Sequence, residues 1–232
     1  MLASLAPAAA LSRGAPGAPG APGSPTKLEK LKSRPYRAGE ASFFYFDAHF
    51  QIESVKILPG EYFVYEEDLL ITTTLGSCIA ACIWDRQQRI GGMNHFMLPD
   101  NSSGGVGVAD SGRYGPFAMD LLIGELVKRG ATRSTMEAKV FGGGAVISGM
   151  NTINIGERNT TFVMDYLRTE RITVVSKDVM DIYPRKVCFL PASGKAMVKR
   201  LTSTNTEALA AQERAAAAKT RPVVVGGSVD LF

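Results

Sequence analysis

Residues 69–98 of the chain read LLITTTLGSCIAACIWDRQQRIGGMNHFML, and they contain its strongest strand signals. Leu69–Leu75 and Ser77–Trp84 are rich in β-branched and apolar residues, which is typical of buried strands. The polar tetrapeptide Asp85–Gln88 separates the second run from a third, Arg89–Leu98. The pattern predicts three strands, of which the last two are joined by a tight turn and paired as an antiparallel hairpin.

The remaining secondary-structure signals lie on both sides of this stretch. Further short strands are predicted at Phe43–Ile52, Gly60–Tyr65, Ala138–Phe141, Thr173–Ser176, Lys186–Leu190 and Ala196–Leu201. Two helices are predicted, one at Tyr114–Arg129, which Gly130 ends, and one near Ile155–Arg168. Because strands dominate and helices are interspersed, the predicted fold class is α+β, a layered α/β sandwich with mixed or antiparallel sheets and two main helices.

Composition separates the two ends of the chain from its middle. The 232 residues are 45% hydrophobic and 21% charged, which is enough apolar material for a buried core. Residues 1–37 are rich in Ala, Pro and Gly and hold six of the 26 basic residues but one of the 22 acidic residues. We therefore expect a disordered basic arm at 1–37, one folded domain at 38–203, and an Ala-rich helical tail with a C-terminal peptide at 204–232.

Composition also excludes several broad classes of protein. No run of about 18 apolar residues occurs, so we expect no membrane insertion. Three cysteines do not make a disulfide framework in a chain of this length, which indicates a reducing, cytoplasmic location. Outside the arm, the basic and acidic residues nearly balance, and no nucleic acid partner is expected because such a partner needs a basic face on the fold itself.

Cys78 and His95, one of the two histidines, form the candidate chemical site. If the hairpin turn is centred between Arg86 and Gln87, these two residues face each other directly, with Cβ atoms about 4.5–5.5 Å apart. A thiolate is a strong nucleophile, and a neighbouring imidazole can take the thiol proton and later protonate a leaving amine. The spacing therefore favours nucleophilic catalysis by the cysteine.

The residues before Cys78 supply the other parts of a nucleophilic site. Gly76 frees the backbone at this point, and backbone N–H groups near Ser77 and Cys78 are expected to receive an oxyanion, so Gly76 and Ser77 are predicted to bind substrate. A hydroxyl or carbonyl group from one of the three threonines at positions 72–74 can hold the far ring nitrogen of the imidazole. The residues alone do not choose among these three threonines.

Zinc binding is the sharpest alternative, with Cys78, Cys82, His95 and Cys188 as ligands of the right types. Residues four apart on a strand are separated by about 13 Å, so Cys78 and Cys82 cannot share one ion. No metal and no cofactor are therefore predicted. A small buried thiol and a satisfied core histidine stay open as structural interpretations. The glycines at 142–144 are either an anion nest or a strand-to-loop transition.

Five segments of the chain together match a known pattern: Thr72–Cys82, Gly91–Pro99, Arg113–Gly115, Lys139–Gly144 and Asn154–Asn159. With them the chain resembles the CheD family of bacterial chemoreceptor glutamine deamidases, from about residue 55 to about residue 202. The resemblance implies a catalytic Cys–His–Thr site composed of Cys78, His95 and Thr72. It also implies a fold similar to the catalytic domain of a deamidating bacterial toxin.

The resemblance further implies what the protein does. The expected reaction is hydrolytic deamidation of specific glutamine side chains on chemoreceptors, which gives glutamate and ammonia through a thioester and serves chemotaxis adaptation. The expected partners are the cytoplasmic helical region of methyl-accepting chemoreceptors and a CheC-type phosphatase. Two alternatives stay open: a non-enzymatic chemotaxis adaptor that binds receptors or a signalling phosphatase through the same cleft, and a thiol protease or generic amidase.

Overall fold

The structure, a computed structural model, describes residues 26–35, 37–98, 115–145, 152–201 and 211. Within these residues the elements follow in the order α1 (Lys27–Lys32), β1 (Phe43–Asp47), β2 (Ile52–Lys56), β3 (Tyr62–Tyr65), β4 (Leu70–Leu75), β5 (Ile79–Asp85), β6 (Ile90–Asn94), α2 (Gly115–Lys128), β7 (Met136–Gly142), α3 (Thr152–Thr169), β8 (Thr173–Val179), β9 (Arg185–Leu190) and β10 (Lys195–Arg200). A short 3₁₀ turn at Arg133–Thr135 precedes β7.

The described strands form two five-stranded sheets. Sheet I has the order β3-β6-β5-β7-β8, and sheet II has the order β1-β2-β4-β9-β10. Each sheet is mixed, because β7 and β8 are parallel in sheet I and β2 and β4 are parallel in sheet II. The other strand pairs are antiparallel. This confirms the predicted α+β class with mixed sheets.

Two hydrophobic cores organise the molecule into layers. The first core lies between sheet I and the two longer helices, and it contains Ile79, Leu122 and Val163. The second lies between the sheets and contains Ile71 and Phe189. The layers therefore run helices, sheet I, sheet II, and the two main helices are close to where the sequence predicts them. No helix in this described part of the chain is long and apolar enough to cross a membrane.

Strand β5 is buried on both faces. From residue 78, just before the strand, to residue 83, the side chains alternate between the two cores, with Cys78, Ala80 and Cys82 between the sheets and Ile79, Ala81 and Ile83 under the helices. Burial on both faces explains why this part of the sequence is almost continuously apolar.

The N-terminal end of the described chain departs from its predicted disorder. Lys27–Lys32 is a helix that begins with a capping box between Thr26 and Glu29. Leu31 is 2% exposed and lies in the core between the sheets, so one apolar side chain anchors this helix. The rest of the predicted arm, up to residue 25, lies outside the described residues, as does the predicted tail at 204–232 apart from Ala211.

The strand predicted at Phe43–Ile52 is a hairpin instead. β1 ends at Asp47, whose carboxylate accepts hydrogen bonds from the N–H groups of His49 (2.9 Å) and Phe50 (3.1 Å). An aspartate that binds the backbone two and three residues ahead stabilises a turn rather than a continued strand. The chain then returns as β2, which pairs with β1.

Candidate active site

Cys78 and His95 lie on the same face of sheet I, but they are not directly opposite each other. The register of β5 and β6 continues to a bridge between Ile79 and Phe96. In this register His95 stands opposite Ala80, and Cys78 is its diagonal neighbour. Diagonal neighbours are about 7–8 Å apart, closer between Cβ atoms, and aromatic side chains span this distance. The predicted register was wrong by two residues, and because side chains alternate with a period of two, the shared face is retained.

The hairpin turn explains the difference in register. The last pair of the ladder is Asp85 with Ile90, which leaves a loop of four residues. The Asp85 carboxylate accepts hydrogen bonds from the N–H groups of Gln87 (2.9 Å) and Gln88 (3.0 Å). Arg89 adopts a φ of 55°, and its N–H donates to the Asp85 carbonyl. Arg89 is therefore a loop residue, whereas the prediction counted it as part of the strand.

His95 is held both at its backbone and at its ring. Its N–H donates to the Glu61 carbonyl (2.9 Å), and its carbonyl accepts from the N–H of Gly60 (2.7 Å). Its Nδ1 lies 2.8 Å from Thr73 Oγ1, which lies 2.9 Å from the Ile57 carbonyl oxygen. Because a carbonyl only accepts, the Thr73 hydroxyl donates a hydrogen bond to the Ile57 carbonyl and accepts a hydrogen bond from the N–H at His95 Nδ1. The neutral ring therefore carries its proton on Nδ1 and its lone pair on Nε2.

Thr72, the threonine that the family resemblance implies, occupies the other face of sheet II. Its hydroxyl lies 3.1 Å from the Tyr45 hydroxyl and 3.5 Å from the Val55 carbonyl oxygen. The hydroxyl at the imidazole ring belongs to Thr73 instead. Successive residues of a strand point to opposite faces, so these two threonines cannot both face His95.

A pattern in the sequence distinguishes Thr73 from its neighbours. Ile71 and Leu75 are the apolar residues of β4 that face the core between the sheets. Thr73 lies midway between them in the period of two that a strand requires. Sequence reasoning that left the three threonines open therefore missed Thr73, although the alternation of β4 contains the signal.

The segment Gly76–Cys78 is tied to the end of β7 by its own carbonyl groups. Its first and last carbonyl oxygens accept hydrogen bonds from the N–H groups of Gly144 (2.7 Å) and Gly143 (2.8 Å). Gly142 has a φ of 112°, and a Cβ there would overlap the Cys78 carbonyl oxygen. Glycine is therefore required for this close approach. The N–H groups of Gly143 and Gly144 hold the backbone around Cys78, so they do not form the anion nest considered above.

The candidate site is buried and has a further support from α3. Cys78 is 0% exposed and His95 is 2% exposed. The Asn159 side chain donates from Nδ2 to the Ser77 carbonyl (2.8 Å) and accepts at Oδ1 from the N–H of Leu98 (2.9 Å). Sequence reasoning noticed Asn159 only as part of a matching segment and gave it no role.

The other two cysteines are not gathered at this site. Cys82 is four residues after Cys78 on the same face, and burial raises the pKa of its thiol. Cys188 pairs with Thr72 and so shares the outer side of sheet II, where burial also raises its pKa. Among the described residues, no group of three or more His, Cys, Asp or Glu side chains is arranged to hold a metal ion. The zinc alternative therefore finds no support in these positions.

Comparisons with known proteins place the chain in a family. The family model described as "CheD chemotactic sensory transduction" matches residues 97–200. A protein of Albidiferax ferrireducens named "Probable chemoreceptor glutamine deamidase CheD 1" is 61% identical over 205 residues, which cover 88% of this chain and 86% of that protein.

Two further relatives are named "Probable chemoreceptor glutamine deamidase CheD". The one from Thiobacillus denitrificans is 51% identical over 189 residues, which cover 81% of this chain and 94% of that protein. The one from Methylobacillus flagellatus is 48% identical over 202 residues, which cover 86% of this chain and all of that protein. Identity at this level over most of both chains confirms the resemblance seen in the motifs: the chain belongs to the CheD family.

Proposed function

We propose that the protein is a protein-glutamine glutaminase that deamidates glutamine side chains of chemoreceptors. The observation that carries the proposal is the hydrogen bond between Thr73 Oγ1 and His95 Nδ1, on the face of sheet I that also carries Cys78. This bond orients the imidazole and puts its basic lone pair on Nε2, which is the arrangement that activates a thiol nucleophile. The names of the relatives agree with deamidation of chemoreceptor glutamines.

In the first half of the proposed reaction, His95 Nε2 takes the proton of the Cys78 thiol. The thiolate sulfur then bonds to the carboxamide carbon of the substrate, and the electron pair of the C=O bond moves to oxygen. The backbone N–H groups of Ser77 and Cys78 stabilise this oxyanion, and Gly76 leaves room for it. The imidazolium protonates the amide nitrogen, and the C–N bond breaks as the oxyanion collapses. Ammonia is released, and the acyl group remains on Cys78 as a thioester.

In the second half, water replaces the leaving group. His95 takes a proton from water while the water oxygen bonds to the thioester carbon. The C–S bond then breaks when the new oxyanion collapses. The Cys78 sulfur leaves as a thiolate and recovers its proton from the imidazolium. The products are glutamate and ammonia, so the balance requires only the glutamine side chain and one water molecule.

The proposal gives the orienting role to Thr73 and an indirect role to Thr72. The Thr72 carbonyl accepts a hydrogen bond from the N–H of Ile57 (2.9 Å), and the Ile57 carbonyl accepts a hydrogen bond from the Thr73 hydroxyl. Thr72 therefore supports the residue at the end of the chain of hydrogen bonds that begins at His95. In this way the threonine implied by the family contributes without touching the imidazole.

The proposed setting is chemotaxis adaptation in the cytoplasm. The substrate is the cytoplasmic helical region of methyl-accepting chemoreceptors, and a CheC-type phosphatase is a second proposed partner. The fold proposed by resemblance is the layered α/β sandwich of the catalytic domain of a deamidating toxin. Because Cys78 is fully buried, a glutamine side chain must displace the groups that cover the thiol before it can react.

A co-expression experiment tests the proposal. A receptor cytoplasmic fragment is expressed with the intact protein, with Cys78→Ala or with Cys82→Ala, and its peptides are analysed by mass spectrometry. We expect a one-dalton increase at specific glutamines with the intact protein and with Cys82→Ala. Cys78→Ala should slow this conversion by about 10³-fold or more, because the nucleophile is gone.

Three outcomes contradict the deamidase proposal. The first is a mass increase that persists with folded Cys78→Ala, with the fold verified by circular dichroism. The second is tight binding of the fragment without any mass change, which identifies an adaptor. The third is cleavage of the receptor backbone, which identifies a thiol protease.

A further inference from the structure

Asn159, on α3, joins the two chain segments that carry Cys78 and His95. Its Nδ2 donates to the carbonyl of Ser77, the residue before Cys78, at 2.8 Å. Its Oδ1 accepts from the N–H of Leu98, three residues after His95, at 2.9 Å. The side chain is 0% exposed. A carbonyl only accepts and a backbone N–H only donates, so these partners fix which end of the amide faces which segment.

The segment Gly76–Cys78 is held by three successive carbonyl groups, and Asn159 holds the middle one. The first and the last accept from the backbone N–H groups of Gly144 and Gly143, which a substitution elsewhere does not remove. The middle carbonyl, that of Ser77, accepts from the Asn159 side chain. Among these three donors, Asn159 is therefore the one that a change of side chain can delete.

Peptide geometry connects this hydrogen bond to the proposed reaction. The Ser77 carbonyl and the Cys78 N–H belong to one planar trans peptide, so they point in opposite directions. A donor that fixes the carbonyl also fixes the direction of the N–H on the other side of the plane. Asn159 thus fixes the direction of the Cys78 N–H, which is a proposed oxyanion donor, and the position of the Cys78 side chain.

The helix that carries Asn159 is itself fixed against β7. A Cβ at Gly156 would overlap the Gly143 carbonyl oxygen, so the two backbones are in direct contact. The Thr160 hydroxyl donates to the Gly156 carbonyl (2.8 Å) within the same turn of α3. Because the helix rests on the strand end that also supports Cys78, it cannot shift to replace a lost amide.

We infer that Asn159 is a positioning residue for deamidation. Its side chain links the peptide between Ser77 and Cys78 to the segment that follows His95. This inference rests on the proposed function and deepens it. It assigns to Asn159 an effect on the reacting geometry, and therefore on kcat, rather than on the affinity for the receptor.

Two substitutions test the inference. Asn159→Leu keeps the approximate volume and removes both hydrogen bonds, and we expect it to lower kcat by about 10- to 100-fold with KM changed less than about twofold. Asn159→Asp loses the donor when ionised, but a protonated carboxyl group again offers one donor and one acceptor. Its rate relative to the unsubstituted protein should therefore rise about tenfold or more as the pH falls from about 9 to about 6, since burial favours the protonated form.

The ratio of the Asn159→Asp rate to the rate of the unsubstituted protein separates the effect of residue 159 from that of the charged groups near it. Cys78 and His95 are common to both proteins, and a carboxylate at residue 159 that stayed ionised would favour their protonated forms and so lower the ratio at low pH, which is opposite to the expected rise. Glu157 and Arg158, which precede Asn159 on α3, are also the same in both proteins. A rise in the ratio thus reports the protonation of residue 159 itself.

A matched control and a second readout make the test decisive. Asp85→Asn weakens a buried hydrogen-bonded group at the far end of β5, and both variants are followed by thermal unfolding and by alkylation of Cys78 with iodoacetamide. We expect Asn159→Leu to change the alkylation rate severalfold, and Asp85→Asn to leave it unchanged. Equal losses of Tm with unchanged kcat and alkylation in Asn159→Leu would overturn the inference.

Failure of the proposed function gives a different result. If the unsubstituted protein deamidates no receptor peptide, the deamidase proposal fails, and the alkylation comparison still decides whether Asn159 positions Cys78. If Asn159→Leu does not fold, Asn159→Asp decides the matter, because a pH-independent ratio contradicts the inference.

Discussion

The two ends of β5 differ in what their buried polar groups are tied to. At its end, the Asp85 carboxylate accepts four hydrogen bonds, from the hairpin loop and from the segment before β7: from Gln87, Gln88, Thr132 and Thr135. Just before its start, the Cys78 carbonyl is bound by the end of β7, while the thiol lies on the face that carries His95. One end joins loops to each other, and the other end carries the thiol and the imidazole of the candidate site.

The difference teaches that one end of the strand stabilises the fold, whereas the other end carries the candidate site. The Asp85 hydrogen bonds stabilise the loop that connects β5 to β6, whereas the backbone ladder between the two strands holds His95 on the face that carries Cys78. A substitution at the Cys78 end should therefore change the rate of reaction, and one at the Asp85 end should change the free energy of unfolding.

The largest effect in this comparison is expected from the threonine beside His95. Thr73→Val keeps the shape of the side chain and removes the acceptor of the Nδ1 proton, so we expect deamidation to slow by about 10- to 100-fold. Thr72→Val, the matched variant on the other face of the same strand, should slow it less than about threefold. Rates on a receptor peptide, measured with both variants at equal concentration, provide the comparison.

The opposite ranking would return the orienting role to Thr72. Circular dichroism and thermal unfolding of the two variants serve as the control, because both threonines are buried and both make hydrogen bonds. A loss of rate that follows the loss of Tm in both variants would remove the special role of Thr73.

Asp85→Asn should affect stability rather than rate. Burial alone raises the pKa of this carboxyl group, but the hydrogen bonds from Thr135, Thr132, Gln88 and Gln87 outweigh burial and lower the pKa below its usual value. Asparagine cannot accept all four hydrogen bonds equally well, so we expect the free energy of unfolding at neutral pH to fall by about 1–3 kcal/mol. Urea unfolding measures this loss, and deamidation below the unfolding transition should be unchanged.

The pH dependence of that loss follows from the direction of the pKa shift. The stabilisation by ionised Asp85 is complete above the pKa of an unfolded aspartate, about 3.9. It decreases as the pH falls through the lower pKa of the folded state. The advantage of the unsubstituted protein over Asp85→Asn should therefore be constant from about pH 7 to about pH 5 and decrease below about pH 4. An advantage that grows on acidification would contradict this assignment.

Cys82→Ala is expected to give the smallest effect. Cys82 lies on the same face as Cys78, yet burial raises the pKa of its thiol and keeps it protonated. Loss of its sulfur should lower the free energy of unfolding by about 1 kcal/mol and leave the rate of deamidation unchanged. Iodoacetamide labelling followed by peptide mapping should find Cys78 modified before Cys82, and the reverse order would sink the contrast between the two thiols.

Much of the fold was predictable because its signals are local. The helices α2 and α3 follow from apolar periodicity, and the β9–β10 hairpin follows from Pro191 and Gly194, which are turn-forming residues between the two predicted strands. The register of β5 and β6 was not predictable in the same way, because Asp85 is also bound by Thr132 and Thr135, which are 47 and 50 residues away. Their contribution to the turn appears only when the sheet is assembled.

The candidate site divides along the same line. Cys78 and His95 are separated by one hairpin, so their shared face could be predicted from the strand pattern alone. The choice of Thr73 depends on which face of sheet II meets sheet I, and the role of Asn159 depends on a contact that spans 82 residues of sequence. Residues that act through such distant contacts leave no local pattern in the chain.

The burial of Cys78 and His95 has a consequence for the direction of the proposed reaction. A glutamine amide is neutral and tolerates a dry environment when its hydrogen bonds are satisfied, whereas the glutamate that replaces it carries a charge that is costly to keep away from water. The affinity of the enzyme for the glutamate product would thus be lower than its affinity for the glutamine substrate. The buried site would therefore favour release of the carboxylate, and the product would be a weak inhibitor of the reaction.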